Sequence, residues 1–251
     1  MRHKGIHILR SGIAALVFFL LLLIAFPLIL FLVLISLGAL TGKIIQYLGP
    51  VIARPPLSII GIKLDFEIDD HAFDQPAVFI INHSSTLDML IIIALGLPNV
   101  RYVVKYEMQY NPIFFLVGRA TGQVFIRRQQ SEKAIRKLTS TYNRVRRNNI
   151  SILMAPEGSR KHEGRIGPFK KGPFHMAIDL QYPIVPIFVS GVQELNPGGS
   201  LIAKQGRVTV YIHPPIDTSY WQKEKIAKYV EQVRNMYLEW DQKSRKMTSS
   251  P

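Results

Sequence analysis

The chain of 251 residues contains no cysteine and comparatively few acidic residues. Without cysteine it has no disulfide, no thiolate nucleophile and no zinc–thiolate site, and the absence fits a reducing compartment. Only 17 aspartates and glutamates stand against 31 lysines and arginines, which gives a formal net charge of +14. Such a surplus of positive charge indicates an anionic partner, either a phosphate-bearing substrate, an anionic lipid surface or nucleic acid.

The N-terminal region also lacks charge over a long stretch, because residues 13–40 carry no charged side chain. As one straight helix this stretch would be about 42 Å long, at ~1.5 Å per residue, against a bilayer core about 30 Å thick. It is long for one span and short for two, and Pro27 lies at its midpoint, where a proline kinks or breaks a helix. Two interpretations stay open: a single tilted span, or a two-helix hairpin that enters one leaflet and returns.

The flanking charges favour the hairpin. Positive residues lie on both sides of the apolar stretch, namely Arg2, Lys4, Arg10, Lys43, Arg54 and Lys63. Positive charge prefers the cytoplasmic face, so both ends would lie on the same side. A cleaved signal peptide would have a shorter apolar core of ~7–15 residues, and a nucleic-acid-binding protein has no need of this segment. Residues 44–62 are apolar but interrupted by glycine and proline, which indicates an interfacial connector or a linker packed on the core.

From about Lys63 onward, short apolar runs alternate with helical patterns. The apolar runs lie at 77–81, 102–104, 124–126, 150–154, 184–189 and 208–212. The helical patterns lie at 86–94, 112–120, 131–147 and 172–180, and a last one begins near 218. This alternation predicts an α/β fold with a mostly parallel central sheet flanked by helices. We expect a membrane anchor and connector over 1–62, an α/β domain over 63–242 and a flexible tail over 243–251.

The first polar cluster follows the apolar run 77–81. Asn82 and His83 come directly after it, and Asp88 lies five residues beyond the histidine. Ligands of open α/β folds bind at the carboxyl ends of strands, and a turn there can fold the Asp88 carboxylate onto the His83 ring. The carboxylate would fix the tautomer while the other ring nitrogen takes a proton from a hydroxyl. The same segment also suits a helix N-cap beside a solvated histidine.

Two basic segments follow. Arg127 and Arg128 come after the run 124–126, and because strand neighbours point to opposite faces, only one of them can face a site. A guanidinium suits bidentate phosphate binding, although the two residues could equally form a surface pair. The predicted helix 131–147 is also rich in lysine and arginine. It could attract anionic headgroups or the phosphates of a donor, or present a solvated face.

Two further segments suit anion binding. After the run 150–154, Arg160 could bind a phosphate while Glu157 orients it, and Gly158 allows a tight turn or the close approach of a ligand. The alternative is a surface turn with a local ion pair, which contributes little. Lys170 and Lys171 precede a predicted helix start, where the positive end of a helix favours anions.

In this order and spacing, the segments resemble the motifs of the 1-acylglycerol-3-phosphate acyltransferase (lysophosphatidate acyltransferase) family, within the glycerolipid acyltransferases. That family's motifs are Asn-His-x4-Asp, Phe-Ile-x-Arg, Phe-Pro-Glu-Gly-Thr-Arg and an apolar Pro-x-x-Pro. The matching residues are Asn82, His83 and Asp88; Phe125, Ile126 and Arg128; Pro156, Glu157, Gly158 and Arg160; and Pro183 and Pro186. The Phe-Lys-Lys-Gly segment at 169–172 fits as well. The departures are Ala155 for Phe, Ser159 for Thr, and Arg127 where Asp is frequent.

The resemblance implies transfer of an acyl group from acyl-CoA or acyl carrier protein to the sn-2 hydroxyl of lysophosphatidate, giving phosphatidate. It implies His83 as the base and Asp88 as its orienting partner. The implied phosphate-binding residues are Arg128, Glu157, Gly158 and Arg160, and the candidate anion or donor contacts are Lys170 and Lys171. No metal and no cofactor beyond the acyl co-substrate is implied. The expected partners are membrane lipids and the two substrates, and not nucleic acid.

Other functions stay open at this point. The acceptor could be glycerol 3-phosphate, another lysophospholipid or lyso-ornithine lipid. A membrane-bound acyl-CoA thioesterase would use the same pair on water, and a non-catalytic lipid-binding protein could keep the fold, although intact His83 and Asp88 argue against it. The compact domain and single N-terminal anchor favour a bacterial inner membrane with the catalytic domain facing the cytoplasm, and the endoplasmic reticulum of a eukaryote stays open.

Overall fold

The computed structural model describes residues 2–110, 112–126, 132–159 and 166–249. Its centre is a seven-stranded sheet in the order β1-β7-β6-β2-β5-β3-β4. The strands are β1 (Ile62–Ile68), β2 (Val78–Ile81), β3 (Val100–Lys105), β4 (Val124–Ile126), β5 (Ser151–Met154), β6 (Ile184–Ser190) and β7 (Gly206–Ile212). The helices are α1 (Arg2–Ile35), α2 (Thr41–Ile60), α3 (Asp88–Leu95), α4 (Pro112–Ala120), α5 (Glu132–Arg147), α6 (Gly172–Leu180), α7 (Val192–Leu195) and α8 (Ile226–Ser249).

The sheet is parallel except for the pairing of β6 with β7. This confirms the predicted fold class. Pro186 lies inside central strand β6, an unusual place for a residue without an N–H group. Its carbonyl accepts from the His213 N–H at 2.9 Å, so its backbone faces β7. The ladder between β6 and β7 begins only at Ile187 and Ile212, so the missing N–H interrupts no hydrogen bond of that ladder.

Helices cover both faces of the sheet. On one face, α2 and α3 pack against Phe79, Ile81 and Val185. On the other face, α5, α6 and α8 pack against Val78 and Ile80. The two cores explain why the central strands are continuous apolar runs, since a parallel strand buried on both sides has no solvent-facing positions.

The N-terminal region differs from the prediction. Helix α1 continues through Pro27 to Ile35, so the chain does not turn back at this proline. The chain turns instead at 36–40, and α2 then packs antiparallel to α1 and against α3. Segment 44–62 is therefore mostly a packed helix. Helix α2 packs closely against the end of α3. A Cβ atom on Gly96, the residue after α3, would lie only 2.7 Å from the carbonyl oxygen of Gln46 in α2.

The other boundaries agree in part. All six predicted strands are present, and the sequence patterns missed only β1, which pairs with β7 at the sheet edge. Helix α8 continues to Ser249, so the predicted tail from 243 is helical over its first part. Ser244 hydrogen-bonds Ser190, and Arg245 forms an ion pair with Asp241 one turn earlier. The end of α8 is therefore tied to the sheet.

Candidate active site

His83 and Asp88 lie together beyond the carboxyl end of β2. The distance from His83 Nδ1 to Asp88 Oδ2 is 2.8 Å. The aspartate side chain is fully buried, whereas the histidine side chain is 29% exposed. Since Nδ1 faces the carboxylate, Nε2 is the ring nitrogen left for a substrate. A buried carboxylate placed in this way can hold a histidine in one tautomer and so allow it to act as a general base.

The turn between these two residues is built around the carboxylate. The N–H groups of Ser84 and Ser85 each donate to Asp88 Oδ2 at 2.8 Å. Asp88 is also the first residue of α3, where a negative charge is favoured by the helix dipole. Its other oxygen, Oδ1, is buried and receives no hydrogen bond from the described residues. Three hydrogen bonds therefore converge on one oxygen and fix the direction of the carboxylate.

Glu157 supports the histidine from its backbone side. Its Oε2 accepts the His83 N–H at 2.6 Å, and its Oε1 accepts the Gly167 N–H at 3.3 Å. The residue is only 4% exposed. Burial raises the pKa of Glu157 to about 8, and the two backbone hydrogen bonds and Arg234 act in the opposite direction. The structure thus places this carboxyl against the backbone of His83, a contact that the sequence did not indicate.

The other predicted residues belong to segments that end at the same sheet edge. The parallel neighbours β2, β5, β3 and β4 point their carboxyl ends the same way, and the segment after β5 reaches His83 through Glu157. Gly158 has the left-handed φ of +67° that favours glycine. Arg128 and Arg160 lie outside the described residues, as does Arg127. Lys105 ends β3 between these segments, a position that the sequence analysis did not single out.

The Phe-Lys-Lys-Gly segment joins this edge from the chain that follows. The Lys170 N–H donates to the Pro156 carbonyl at 2.9 Å, which ties the segment to the loop of Glu157. Lys170 and Lys171 are exposed, and Lys171 is the residue before α6. The two lysines therefore lie beside the site at a helix N-terminus, where an anion is favoured.

Three polar residues to which the sequence assigned no role hold the site in place, and of these only Asn82 belongs to a motif. Asn82 exchanges two hydrogen bonds with the backbone of Val189, at 2.9 and 2.7 Å, and so ties the end of β2 to β6. Tyr237 of α8 is fully buried, and its hydroxyl lies 2.7 Å from the Ile80 carbonyl oxygen. Asn196 bonds the turn between His83 and Asp88. Single polar residues in apolar helices or in loops carry no sequence signal that separates them from solvated ones.

Within the described residues, no three histidine, cysteine, aspartate or glutamate side chains form a group able to hold a metal ion. The described part of this sheet edge holds a histidine, two buried carboxyl groups and two exposed lysines.

Comparisons with known proteins show the family of the chain. The acyltransferase family model matches residues 63–190. The chain is 30% identical over 191 residues to the 1-acyl-sn-glycerol-3-phosphate acyltransferase of Cocos nucifera, a match covering 76% of this chain and 62% of that protein. It is 31% identical over 172 residues to the enzyme of that name from Haemophilus influenzae, covering 67% of this chain and 70% of that one.

The fold has a counterpart among solved structures. The crystal structure of the 1-acyl-sn-glycerophosphate acyltransferase from Thermotoga maritima superposes with a TM-score of 0.71, covering 98% of this chain and 99% of that chain at 19% identity. The matched family region contains His83, Asp88 and Glu157, the residues that the structure brings together. The chain therefore belongs to the acyltransferase family, with 1-acylglycerol-3-phosphate acyltransferases among its relatives.

Proposed function

We propose that the protein transfers a fatty acyl group from acyl-CoA or acyl carrier protein to the sn-2 hydroxyl of lysophosphatidate, giving phosphatidate. The observation that carries the proposal is the contact of a partly exposed His83 with a fully buried Asp88, at 2.8 Å. The names of the relatives supply the acceptor class. The contact and the names of the relatives together favour a histidine base that acts on the hydroxyl of a lipid.

The reaction is a direct transfer in which no residue is acylated. His83 Nε2 takes the proton of the sn-2 hydroxyl as its oxygen attacks the thioester carbonyl carbon. The new C–O bond forms, the C–S bond breaks, and the departing thiolate regains the proton from His83. Asp88 stabilises the imidazolium between the two proton transfers. Holding hydroxyl, thioester and base together lowers the barrier chiefly through orientation.

The acceptor's phosphate is assigned to the loops beside the dyad. Arg128 and Arg160 are the proposed bidentate partners, by the motif positions they occupy. Gly158 lets the ligand approach the backbone, and Glu157, which holds His83, limits where the loop can lie. Lys170 and Lys171 are the proposed contacts for the anionic donor.

We further propose that the enzyme works at a membrane surface. Residues 4–35 form a helix long and apolar enough to cross a membrane. Because α1 and α2 form a hairpin, the basic residues in the first turns of α1 and Lys63 after α2 lie at the same end of it. The proposed location is a bacterial inner membrane, with the catalytic domain facing the cytoplasm.

The test is thiol release from acyl-CoA by the detergent-purified protein and its His83→Ala variant. It is run with lysophosphatidate, with glycerol 3-phosphate, with other lysolipids including lyso-ornithine lipid, and with no acceptor, and the products are identified by mass. We expect phosphatidate only with lysophosphatidate, and none from the variant. Thiol release without an acceptor would assign a thioesterase instead. Transfer to another lipid alone would keep the mechanism and change the substrate.

A further inference from the structure

Asn196 holds the turn between His83 and Asp88 from outside the family's motifs. It follows α7 and is 1% exposed. Its Oδ1 accepts from the Ser85 hydroxyl at 2.7 Å and from the Thr86 N–H at 3.1 Å, and the Thr86 hydroxyl also reaches it. One amide oxygen therefore gathers the two residues at the middle of the turn.

The other half of the same amide faces a different loop. Asn196 Nδ2 donates to the carbonyl oxygens of Ser200 and Ile202, each at 3.1 Å. These two bonds fix the orientation of the amide, so that its oxygen and not its nitrogen faces the turn. The side chain thus has its acceptor committed to the turn and its donors committed to the loop 197–202.

The position of the turn matters for the dyad because Ser84 and Ser85 donate their N–H groups to Asp88. If Ser85 moved, the carboxylate would lose a donor and its fixed direction toward His83. Among the described residues, the hydrogen bonds of Asn196 go to the turn and to the loop 197–202, and none goes to His83 or Asp88. Any effect on the reaction would therefore pass through Ser85 and Thr86.

We propose that Asn196 is a positioning residue for acyl transfer, which holds the turn in the conformation where Asp88 meets His83. The proposal rests on the proposed function for its kinetic test, and on the geometry alone for its spectroscopic test.

The kinetic test compares Asn196→Ala and Asn196→Asp with wild type while the concentration of the acyl donor is varied up to saturation. We expect kcat to fall by about 10–100-fold, the loss typical of a small displacement of a catalytic group, with KM for the acyl donor little changed. The matched control is Asn99→Asp, because Asn99 Nδ2 also donates to two carbonyl oxygens, at 3.0 and 2.8 Å, but at the opposite end of the sheet. That control is expected to keep kcat while losing thermal stability.

A double-mutant cycle separates positioning from a general loss of stability. Ser85→Ala with Thr86→Val removes the two hydroxyls that meet Asn196 Oδ1. If Asn196 acts through this turn, adding Asn196→Ala to this pair lowers kcat by less than the product of the separate losses. Losses that multiply fully, or a kcat within about twofold of wild type in Asn196→Ala, would overturn the proposal.

A spectroscopic test does not depend on the acceptor. In histidine-labelled protein, the His83 Nδ1 proton shared with Asp88 should give a downfield resonance that is identified by its loss in His83→Ala. We expect this resonance to weaken or disappear in Asn196→Ala and to persist in Asn99→Asp. Its persistence in Asn196→Ala would contradict the proposal. If the resonance behaves as expected but wild type acylates no lysophosphatidate, the proposed function fails and the positioning role stands.

Discussion

A second histidine–aspartate pair lies on the surface of the molecule. His71 Nδ1 is 2.9 Å from Asp74 Oδ2, nearly the distance found between His83 and Asp88. The side chain of Asp74 is 63% exposed, whereas that of Asp88 is fully buried. An exposed pair competes with water and reorganises freely, so it contributes little. Burial and converging backbone donors, and not the contact itself, distinguish the proposed dyad.

The two pairs give a matched prediction for single substitutions. Asp88→Asn should lower kcat by about 10²–10⁴-fold, because an amide can still accept the backbone N–H groups but cannot stabilise an imidazolium. Asp74→Asn should leave kcat within about twofold. Both are measured as phosphatidate formed per folded enzyme. Equal effects of the two substitutions would remove the dyad from the mechanism.

The raised pKa of Glu157 predicts that the stability of the folded protein depends on pH. Its pKa rises from 4.5 to about 8 in the folded protein, chiefly through burial. Between these values the folded state binds more protons at this carboxyl than the unfolded chain does. The stability it contributes is therefore complete at low pH and is lost as the pH rises through about 8. The melting temperature of Glu157→Gln should accordingly vary less between pH 5 and pH 8.5 than that of wild type. Parallel curves for the two proteins would contradict the assignment.

At the scale of elements, α8 is the support beneath the site. Tyr237 reaches the carbonyl oxygens of Ile80 in β2 and Ile187 in β6, at 2.7 and 3.3 Å. Its ring packs edge-on against Phe169, with centroids 5.2 Å apart. Since Ile80 lies three residues before His83, α8 fixes the strand that delivers the base. The helical pattern that begins near 218 gave no sign of these hydroxyl contacts.

Tyr237→Phe tests this support. The substitution keeps the aromatic packing and removes one buried hydroxyl, so we expect the free energy of unfolding to fall by about 1–2 kcal/mol. Equilibrium denaturation in detergent measures it, with Tyr220→Phe as the control, since Tyr220 is 65% exposed. An unchanged stability would mean that the hydroxyl is not needed to hold β2 against β6.

At the scale of the whole molecule, the outer side of α1 is an apolar surface without a protein partner among the described residues. Its exposed residues include Leu23 and Ile24, at 70% and 73%. The inner side packs on α2. At its start, α1 is tied to the domain, because the Ala203 N–H donates to Ser11 Oγ at 3.0 Å. The helix thus belongs to the folded protein while exposing a lipid-like face.

This surface predicts how the protein binds vesicles. Leu23→Glu with Ile24→Glu should reduce co-sedimentation with anionic phospholipid vesicles, since two charges would have to enter the apolar layer. The packed side of α1 is untouched, so the melting temperature should stay near that of wild type. Tyr220→Glu is the control at an exposed position on the α/β domain. Undiminished binding of the double variant would move the membrane contact elsewhere on the molecule.

The sequence alone determined the α/β class, six strands of the sheet and the pairing of His83 with Asp88. These follow from local rules: apolar runs buried on both faces become central strands, and polar residues directly after them lie at the sheet edge. The order of the motifs also identified the family. These features can be predicted from the sequence because each depends on residues that are near one another in the chain.

Only the tertiary structure decided the rest. Pro27, and the three prolines of α2, do not end their helices, because packing against neighbouring helices outweighs the local penalty. The contact of Glu157 with the His83 backbone spans 74 residues, and that of Asn196 with Ser85 spans 111. Whether such a polar side chain meets solvent or a particular backbone atom depends on where distant segments are brought by the fold. No local sequence pattern contains this information. The sequence therefore predicted the pair of His83 and Asp88 but not the contacts of Glu157 and Asn196 that hold it.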